Sequence, residues 1–257
     1  MLTTPQKRAP SLLLIGGAGQ ARVLSHLISE IPDLAVTLVL GTAPRDDRPY
    51  GLQVEVHDLT QKTVVETLVK RHEITHVLDV SHPYDTAVSS LFWTMLEGSH
   101  ISFMQLVRPL WLQSPGDVWH YCDNVDELRD IVQPQKNIFV ATGREMLHWF
   151  ERFTDCSVFF RQIAHAEGTY PYENGQFLIG YPPFSIEEEI ELFKAHDIDF
   201  LVTKNAGGVE NATKLHAARA LGIEVVLINR PDPLGAPTVS SVEAAMTWVT
   251  EEVLCNN

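Results

Sequence analysis

Short apolar runs alternate with amphipathic stretches along most of the chain. Runs such as SLLLI and AVTLVL lack polar alternation, which predicts strands buried on both faces. The stretches between them carry apolar residues three and four positions apart, as in Val23, Leu24, Leu27 and Ile28, and this spacing predicts helices. The predicted strands cover residues 11–15, 35–40, 54–57, 76–80, 102–107, 137–141, 157–163, 199–203 and 224–229. The predicted helices cover residues 18–31, 60–71, 86–97, 124–132, 145–153, 185–196, 211–221 and 242–253.

This alternation of strand and helix predicts an α/β fold with mainly parallel sheets. The pattern pauses at a polar, turn-like stretch over 133–136, so we place a domain boundary near Pro134. We expect two Rossmann-like domains: residues 1–134 would bind a dinucleotide, and residues 135–257 would add substrate and cofactor contacts. The cleft between two such domains is the expected ligand site.

Charge and cysteine content exclude several classes of protein. The 257 residues include 19 Lys and Arg against 33 Asp and Glu, a net charge of −14, which argues against a nucleic-acid partner. The three cysteines are odd in number and form no CxxC pair, so we expect neither a disulfide framework nor structural zinc. No HExxH or GxSxG motif occurs, and no apolar run is long enough to span a membrane. We expect a soluble cytoplasmic protein without a metal site, with a monomer as the expected state.

A glycine-rich loop, GGAGQA, directly follows the first strand and opens a helix. Glycines at such a junction let the backbone turn sharply and approach a phosphate, which the helix N-terminus attracts. Gly16, Gly17, Gly19 and Gln20 are therefore candidate cofactor ligands. The alternative is a tight turn without a ligand.

The loop after the second strand indicates which cofactor binds. A carboxylate at that strand end would bind the ribose of NAD, whereas basic residues favour the 2′-phosphate of NADP. The strand here runs into Gly41 and Thr42, with Arg45 following, which favours NADPH. The alternative is a solvated polar loop, and Asp46 and Asp47 lie nearby.

Two further strand ends in the first half carry candidate residues. Ser81 and His82 follow the strand over 76–80, where ligands of open α/β sheets bind, although a lone histidine can be purely structural. Arg108 follows the strand over 102–107 and is a candidate for holding an anion. Trp111 could stack on a ligand or anchor a core.

The second half carries two more turns of this kind. Thr142, Gly143 and Arg144 form a candidate anion site at a strand–helix junction, with Arg144 able to pair with phosphate or carboxylate, and we expect them to contact the cofactor. Lys204 ends a strand and precedes an Asn-Ala-Gly-Gly turn, and we assign it as the residue nearest the reacting centre. Candidate substrate contacts in this half are Arg161, Asn205, Gly207 and Gly208.

The motifs LLLIGGAGQARVL, LDVSHPYDTAVS, LVRPLW, VATGREML, FSIEEEIELF and VTKNAGG occur in this order between Leu12 and about Trp248. Their combination resembles the precorrin-6A reductase family of cobalamin biosynthesis. The resemblance implies two α/β domains, NADPH as cofactor, and reduction of the C18–C19 double bond of a tetrapyrrole to give precorrin-6B. It leaves open the homologous cobalt-precorrin-6A reductase of the anaerobic branch. A non-catalytic NAD(P)-binding sensor is the alternative from another class.

Overall fold

The structure is a computed structural model that describes residues 9–44, 47–163, 168–209 and 211–255. Arg45, a candidate cofactor ligand, lies outside these residues. The chain divides into two compact units, the first formed by residues 1–108 and 231–257 and the second by residues 109–230. No helix within the described ranges has the length and apolar character needed to cross a lipid bilayer.

The described residues form two parallel sheets flanked by helices. The strands are β1 (Ser11–Gly16), β2 (Ala35–Leu40), β3 (Val54–Val56), β4 (His76–Val80), β5 (Ser102–Leu106), β6 (Trp119–Cys122), β7 (Asn137–Ala141), β8 (Ser157–Ile163), β9 (Gly175–Gly180), β10 (Phe200–Lys204), β11 (Glu224–Ile228) and β12 (Thr238–Val239). The helices are α1 (Gly19–Ser29), α2 (Lys62–Arg71), α3 (Thr86–Leu96), α4 (Val125–Ile131), α5 (Ile186–Ala195), α6 (Thr213–Leu221) and α7 (Val242–Trp248). A 3₁₀ helix covers Arg144–Arg152, and α7 continues as a π-helix over Val249–Leu254.

The sheet of the first unit has the strand order β3-β2-β1-β4-β5-β12, and all its pairs are parallel. Strand β1 lies at its centre and is buried on both faces. Leu12 and Leu14 pack with α1 and α7, whereas Leu13 and Ile15 pack with α2 and α3. The predicted burial of both faces is therefore confirmed, and the fully apolar strand follows from it.

The second sheet repeats this order as β9-β8-β7-β10-β11-β6. In both sheets the order reverses direction beside the first strand of the series, at β1/β4 and at β7/β10. Such a reversal leaves a crevice at the carboxyl ends of the two strands, and ligands of open α/β sheets bind there. The predicted α/β class with mainly parallel sheets is confirmed.

The boundary expected near Pro134 is corrected by the strand pairing. Strand β6 precedes Pro134 in the chain but pairs with β11 of the second sheet, with His120 opposite Val226. Strand β12 follows the second series but pairs with β5 of the first sheet, with Val239 opposite Leu106. The chain therefore passes between the units at Arg108–Pro109 and again at Arg230–Pro231. Local sequence could not show this, because pairing between distant edge strands decides it.

Candidate functional site

The loop after β1 has the geometry of a phosphate-binding turn. Ala18 is extended and precedes α1, and its N–H donates to the Val80 carbonyl at 3.1 Å, which ties the loop to β4. The first turn of α1 contains no acidic side chain, and Ala18 cannot cap it through its methyl group. The partial positive charge of the helix N-terminus is thus not neutralised by the helix's own side chains.

The backbone at Gly16 and Gly17 is packed so closely that an added side chain would crowd its neighbours. A Cβ at Gly16 would lie 2.4 Å from a Leu40 methyl group. A Cβ at Gly17 would lie 3.1 Å from the His82 nitrogen and 3.2 Å from the Ser81 Cα. The β1–α1 loop and the β4–α3 turn therefore touch at the crevice where the strand order reverses. The structure thus brings Gly17 next to Ser81 and His82, which the sequence indicates as cofactor ligands.

Gln20 lies in the first turn of α1, next to these glycines. Its Oε1 atom is buried and has no hydrogen-bond partner within the described part of the chain. A buried acceptor without a donor costs free energy, so an incoming hydroxyl or amide would be stabilised there. The glycine cradle and this atom together fit a dinucleotide.

The turn that carries Ser81 and His82 is held by a buried network, which the sequence did not reveal. Asp79 is fully buried at the end of β4 and accepts from the Ser81 N–H at 2.9 Å and the Ser89 hydroxyl at 2.5 Å. The Gln105 amide donates to the same carboxylate at 3.1 Å. A buried carboxylate with several donors fixes the turn. Only the position of Asp79 two residues before Ser81 could have drawn attention to it.

The remaining candidates of the first unit are less closely grouped. Thr42 is exposed and lies two residues beyond β2. Arg108 is 5% exposed and lies two residues beyond β5, the strand next to β4.

Another group of candidates lies at the carboxyl ends of β7 and β10 in the second unit. Thr142 is buried, and Gly143 has a φ of +95°, which favours glycine. Arg144 donates from Nε to the Gln162 side chain at 2.6 Å, and its guanidinium stacks on the ring of Phe177. The structure thus places the Thr142–Arg144 turn beside the end of the strand that carries Lys204.

Lys204 is buried at the end of β10 and forms an ion pair with Glu145, the second residue of the 3₁₀ helix. The sequence predicted Lys204 as a functional residue but not this partner. A buried ammonium requires an anion or strong acceptors, so the pair is physically expected once the burial is known.

The turn after Lys204 is fixed from Trp111. The Asn205 side-chain oxygen accepts from the Trp111 N–H at 3.0 Å, and the Trp111 indole N–H donates to the Gly208 carbonyl at 2.7 Å. Gly207 has a φ of +68°, and a Cβ there would lie 2.1 Å from the Pro109 carbonyl oxygen. These contacts favour the anchoring interpretation of Trp111, and they engage the amide of Asn205 in holding the turn.

Arg161 does not fit its expected role as a substrate ligand. Its guanidinium pairs with both oxygens of Glu189, at 2.6 and 2.9 Å, and lies between the rings of Phe139 and Phe184. The side chains of Arg161 and Glu189 are 8% and 1% exposed. The guanidinium is therefore already neutralised by a buried carboxylate, which leaves it no charge to offer a substrate anion. A cavity of about 330 Å³ adjoins this pair and is lined partly by Ile179 and Tyr181.

Comparison with known proteins identifies the family of the chain. Residues 11–250 match the model of the family described as precorrin-6x reductase CbiJ/CobK. A precorrin-6A reductase of Rhodococcus erythropolis is 30% identical over 93% of this chain and 96% of its own, and one of Sinorhizobium sp. is 28% identical over 97% and 96%. The solved structure of CobK precorrin-6A reductase matches with a TM-score of 0.87, covers 94% of this chain and 96% of its own, and is 23% identical, which supports the fold. The chain belongs to the precorrin-6x reductase family.

Proposed function

We propose that this chain is a precorrin-6A reductase of cobalamin biosynthesis that uses NADPH to reduce the C18–C19 double bond of its substrate to give precorrin-6B. Family membership and the names of the relatives support the reaction. The observation that carries the cofactor assignment is the close approach of Gly17 to the turn of Ser81 and His82, beside the buried Gln20 Oε1, which has no hydrogen-bond partner among the described residues. When bound, NADPH would supply a hydride to one carbon of the double bond, while a proton reaches the other carbon.

The first unit would hold the cofactor. Gly16, Gly17 and Gly19 would admit the pyrophosphate to the α1 N-terminus, and Gln20 would bind a polar group beside it. Ser81 and His82 would line the nicotinamide end, with Asp79 fixing their turn. Thr42 would lie toward the 2′-phosphate, a contact that the sequence also indicates for Arg45, and Arg108 would hold an anionic group of the substrate.

The second unit would hold the substrate. Lys204 would lie near the reacting carbons, with Thr142, Gly143 and Arg144 supplying further polar contacts to cofactor or substrate. Gly207 and Gly208 would shape the neighbouring turn, which Asn205 and Trp111 hold in place. Positioning of the two reactants would be the main contribution of these residues. Single-turnover reduction by the Lys204→Ala variant tests this role of Lys204. An unchanged rate at saturating substrate would show that Lys204 does not act near the reacting carbons.

The reaction is tested by incubating the purified chain with precorrin-6A and either NADPH or NADH and following the visible spectrum. We expect reduction with NADPH and a lower kcat/KM with NADH. No spectral change with either cofactor would refute the proposal, and reduction of cobalt-precorrin-6A alone would assign the chain to the cobalt-containing branch. Binding of the cofactor without reduction of either substrate would favour the alternative of a non-catalytic NAD(P)-binding sensor.

The cofactor assignment is tested with two glycine variants. Gly17→Ala should raise the KM for NADPH, because the added Cβ would press on His82. Gly98→Ala is the control, since Gly98 lies in the turn between α3 and β5, away from the carboxyl ends of the strands, and a Cβ there would meet no atom within 4 Å. Equal effects of the two variants would contradict the placement of the cofactor.

We also infer that the protein acts in the cytoplasm as a monomer. All three cysteines are unpaired, and two of them are buried, as is usual in a reducing compartment. Light scattering at the assay concentration measures the molar mass in solution, and a mass of two or more chains would contradict the monomer.

A further inference from the structure

Lys204 lies at the reversal of strand order in the second sheet. It ends β10 beside β7, and the residue is 6% exposed. Lysine is almost never buried to this degree without an anion close to its ammonium group. The end of these two strands is therefore a place where the fold holds an anion.

The structure places the carboxylate of Glu145 against this ammonium. Gly143 makes this possible: a Cβ on Gly143 would lie 2.6 and 2.7 Å from the two Glu145 carboxylate oxygens. The carboxylate thus folds back over the bare backbone of the turn, where it meets Lys204. Gly143 also has a φ of +95°, a conformation that other residues rarely adopt.

The two partners differ strongly in exposure. The side chain of Lys204 is 7% exposed, whereas that of Glu145 is 58% exposed. The Glu145 carboxylate is therefore within reach of water, whereas the Lys204 ammonium stays buried and keeps its need for an anion. The ion pair of Arg161 with Glu189 behaves differently, because both of its members are buried.

We propose that Lys204 and the bare turn at Gly143 form a subsite for one carboxylate of the tetrapyrrole substrate, and that Glu145 occupies this subsite until the substrate displaces it. This inference rests on the proposed function, in which the substrate is a macrocycle with several carboxylate side chains. One carboxylate then replaces another, so the ammonium keeps an anion in both states. The pyrophosphate is assigned to the glycine loop of the first unit, which leaves this subsite to the substrate.

Steady-state kinetics of three variants, with precorrin-6A and NADPH varied separately, test the subsite. Glu145→Gln removes the carboxylate that competes with the substrate for Lys204. We expect its KM for precorrin-6A to fall about twofold to fivefold, the range for an ion pair with one exposed partner. Lys204→Met keeps the length of the side chain and should raise that KM about tenfold or more. Glu151→Gln, an exposed glutamate on the same 3₁₀ helix, is the control for net charge and should leave both KM values unchanged.

The outcomes separate this inference from the function on which it rests. If the unaltered chain does not reduce precorrin-6A, the proposed function fails. If it does, but Glu145→Gln leaves the KM for precorrin-6A unchanged or raises it, the displacement by substrate is refuted. A shift in the KM for NADPH instead would assign the subsite to a cofactor phosphate and would also overturn the inference. Circular dichroism of Lys204→Met shows that the variant is folded, and the Glu145→Gln arm decides the question if it is not.

Discussion

The buried ion pair of Arg161 and Glu189 offers a sharp test of the energetics of the second unit. Arg161→Met would leave the Glu189 carboxylate, which is 1% exposed, without its cation. Breaking a buried pair on one side typically costs about 3–5 kcal/mol. For a chain of this size, each kcal/mol lowers the Tm by about 2–4 °C, so a fall of about 6–20 °C is expected.

An exposed ion pair supplies the matched control. Arg152 and Asp126 are also 2.6 Å apart, but their side chains are 51% and 74% exposed. Arg152→Met should therefore cost less than about 1 kcal/mol. The double variant Arg161→Met with Glu189→Leu removes both buried charges, and it should be more stable than Arg161→Met alone.

Differential scanning calorimetry and urea unfolding monitored by circular dichroism measure these differences. If Arg152→Met is as destabilising as Arg161→Met, burial does not determine how much unfolding free energy is lost when an ion pair is broken. If the double variant is no more stable than Arg161→Met, the loss comes from packing against Phe139 and Phe184 rather than from the unpaired carboxylate.

Two further predictions concern titratable groups. Burial raises the pKa of the Cys122 thiol to about 12, whereas Cys255 is exposed. At about pH 8 a thiol reagent should therefore label Cys255 quickly and Cys122 only after unfolding, and rapid labelling of Cys122, located by mass spectrometry, would contradict its burial. Burial lowers the pKa of His76 below its ordinary 6.5, while Glu252 opposes the shift. As the pH falls below 6.5 the unfolded chain takes up the proton first, so stability should fall with a slope of at most about 1.4 kcal/mol per pH unit. His76→Gln should reduce the slope of the unfolding free energy between about pH 7 and pH 5, and an unchanged slope would show that His76 titrates normally.

The central strands could be predicted from the sequence because they are long, apolar and buried on both faces. Strands β2, β4, β7 and β8 have the predicted bounds. The missed strands β6, β9 and β12 are all edge strands, and β12 has only two residues. An edge strand is specified by its pairing with a distant segment, which no local apolar run records. The domain boundary was wrong for the same reason, since β6 and β12 decide it.

In the candidate site too, the features that depend on local sequence could be predicted, and those that depend on distant partners could not. Glycines at the end of a strand are a local signal, and the structure places Gly16 and Gly17 at the junction of β1 and α1. The capping box of Ser185 and Glu188 is local too, and it is confirmed. The partner of Lys204 is 59 residues away in the chain and that of Arg161 is 28 residues away, so neither ion pair could be predicted. Charged residues at strand ends therefore identified positions but not whether their charges were already neutralised.

The two sheets share one strand order, yet their strand-end turns suit different anions. After β1, three glycines lead into α1, whose N-terminal N–H groups can spread their partial charge over a pyrophosphate. After β7, Gly143 leads into a 3₁₀ helix, and the positive charge comes from the buried ammonium of Lys204. A single ammonium suits a single carboxylate, because it is a compact point charge. The net charge of −14 does not prevent an anion from binding at this turn. Repulsion from surface carboxylates more than about 8 Å away is largely screened at physiological ionic strength. The subsite proposed at Lys204 therefore needs no positive net charge, because a cation at contact distance is enough to hold one carboxylate of the substrate.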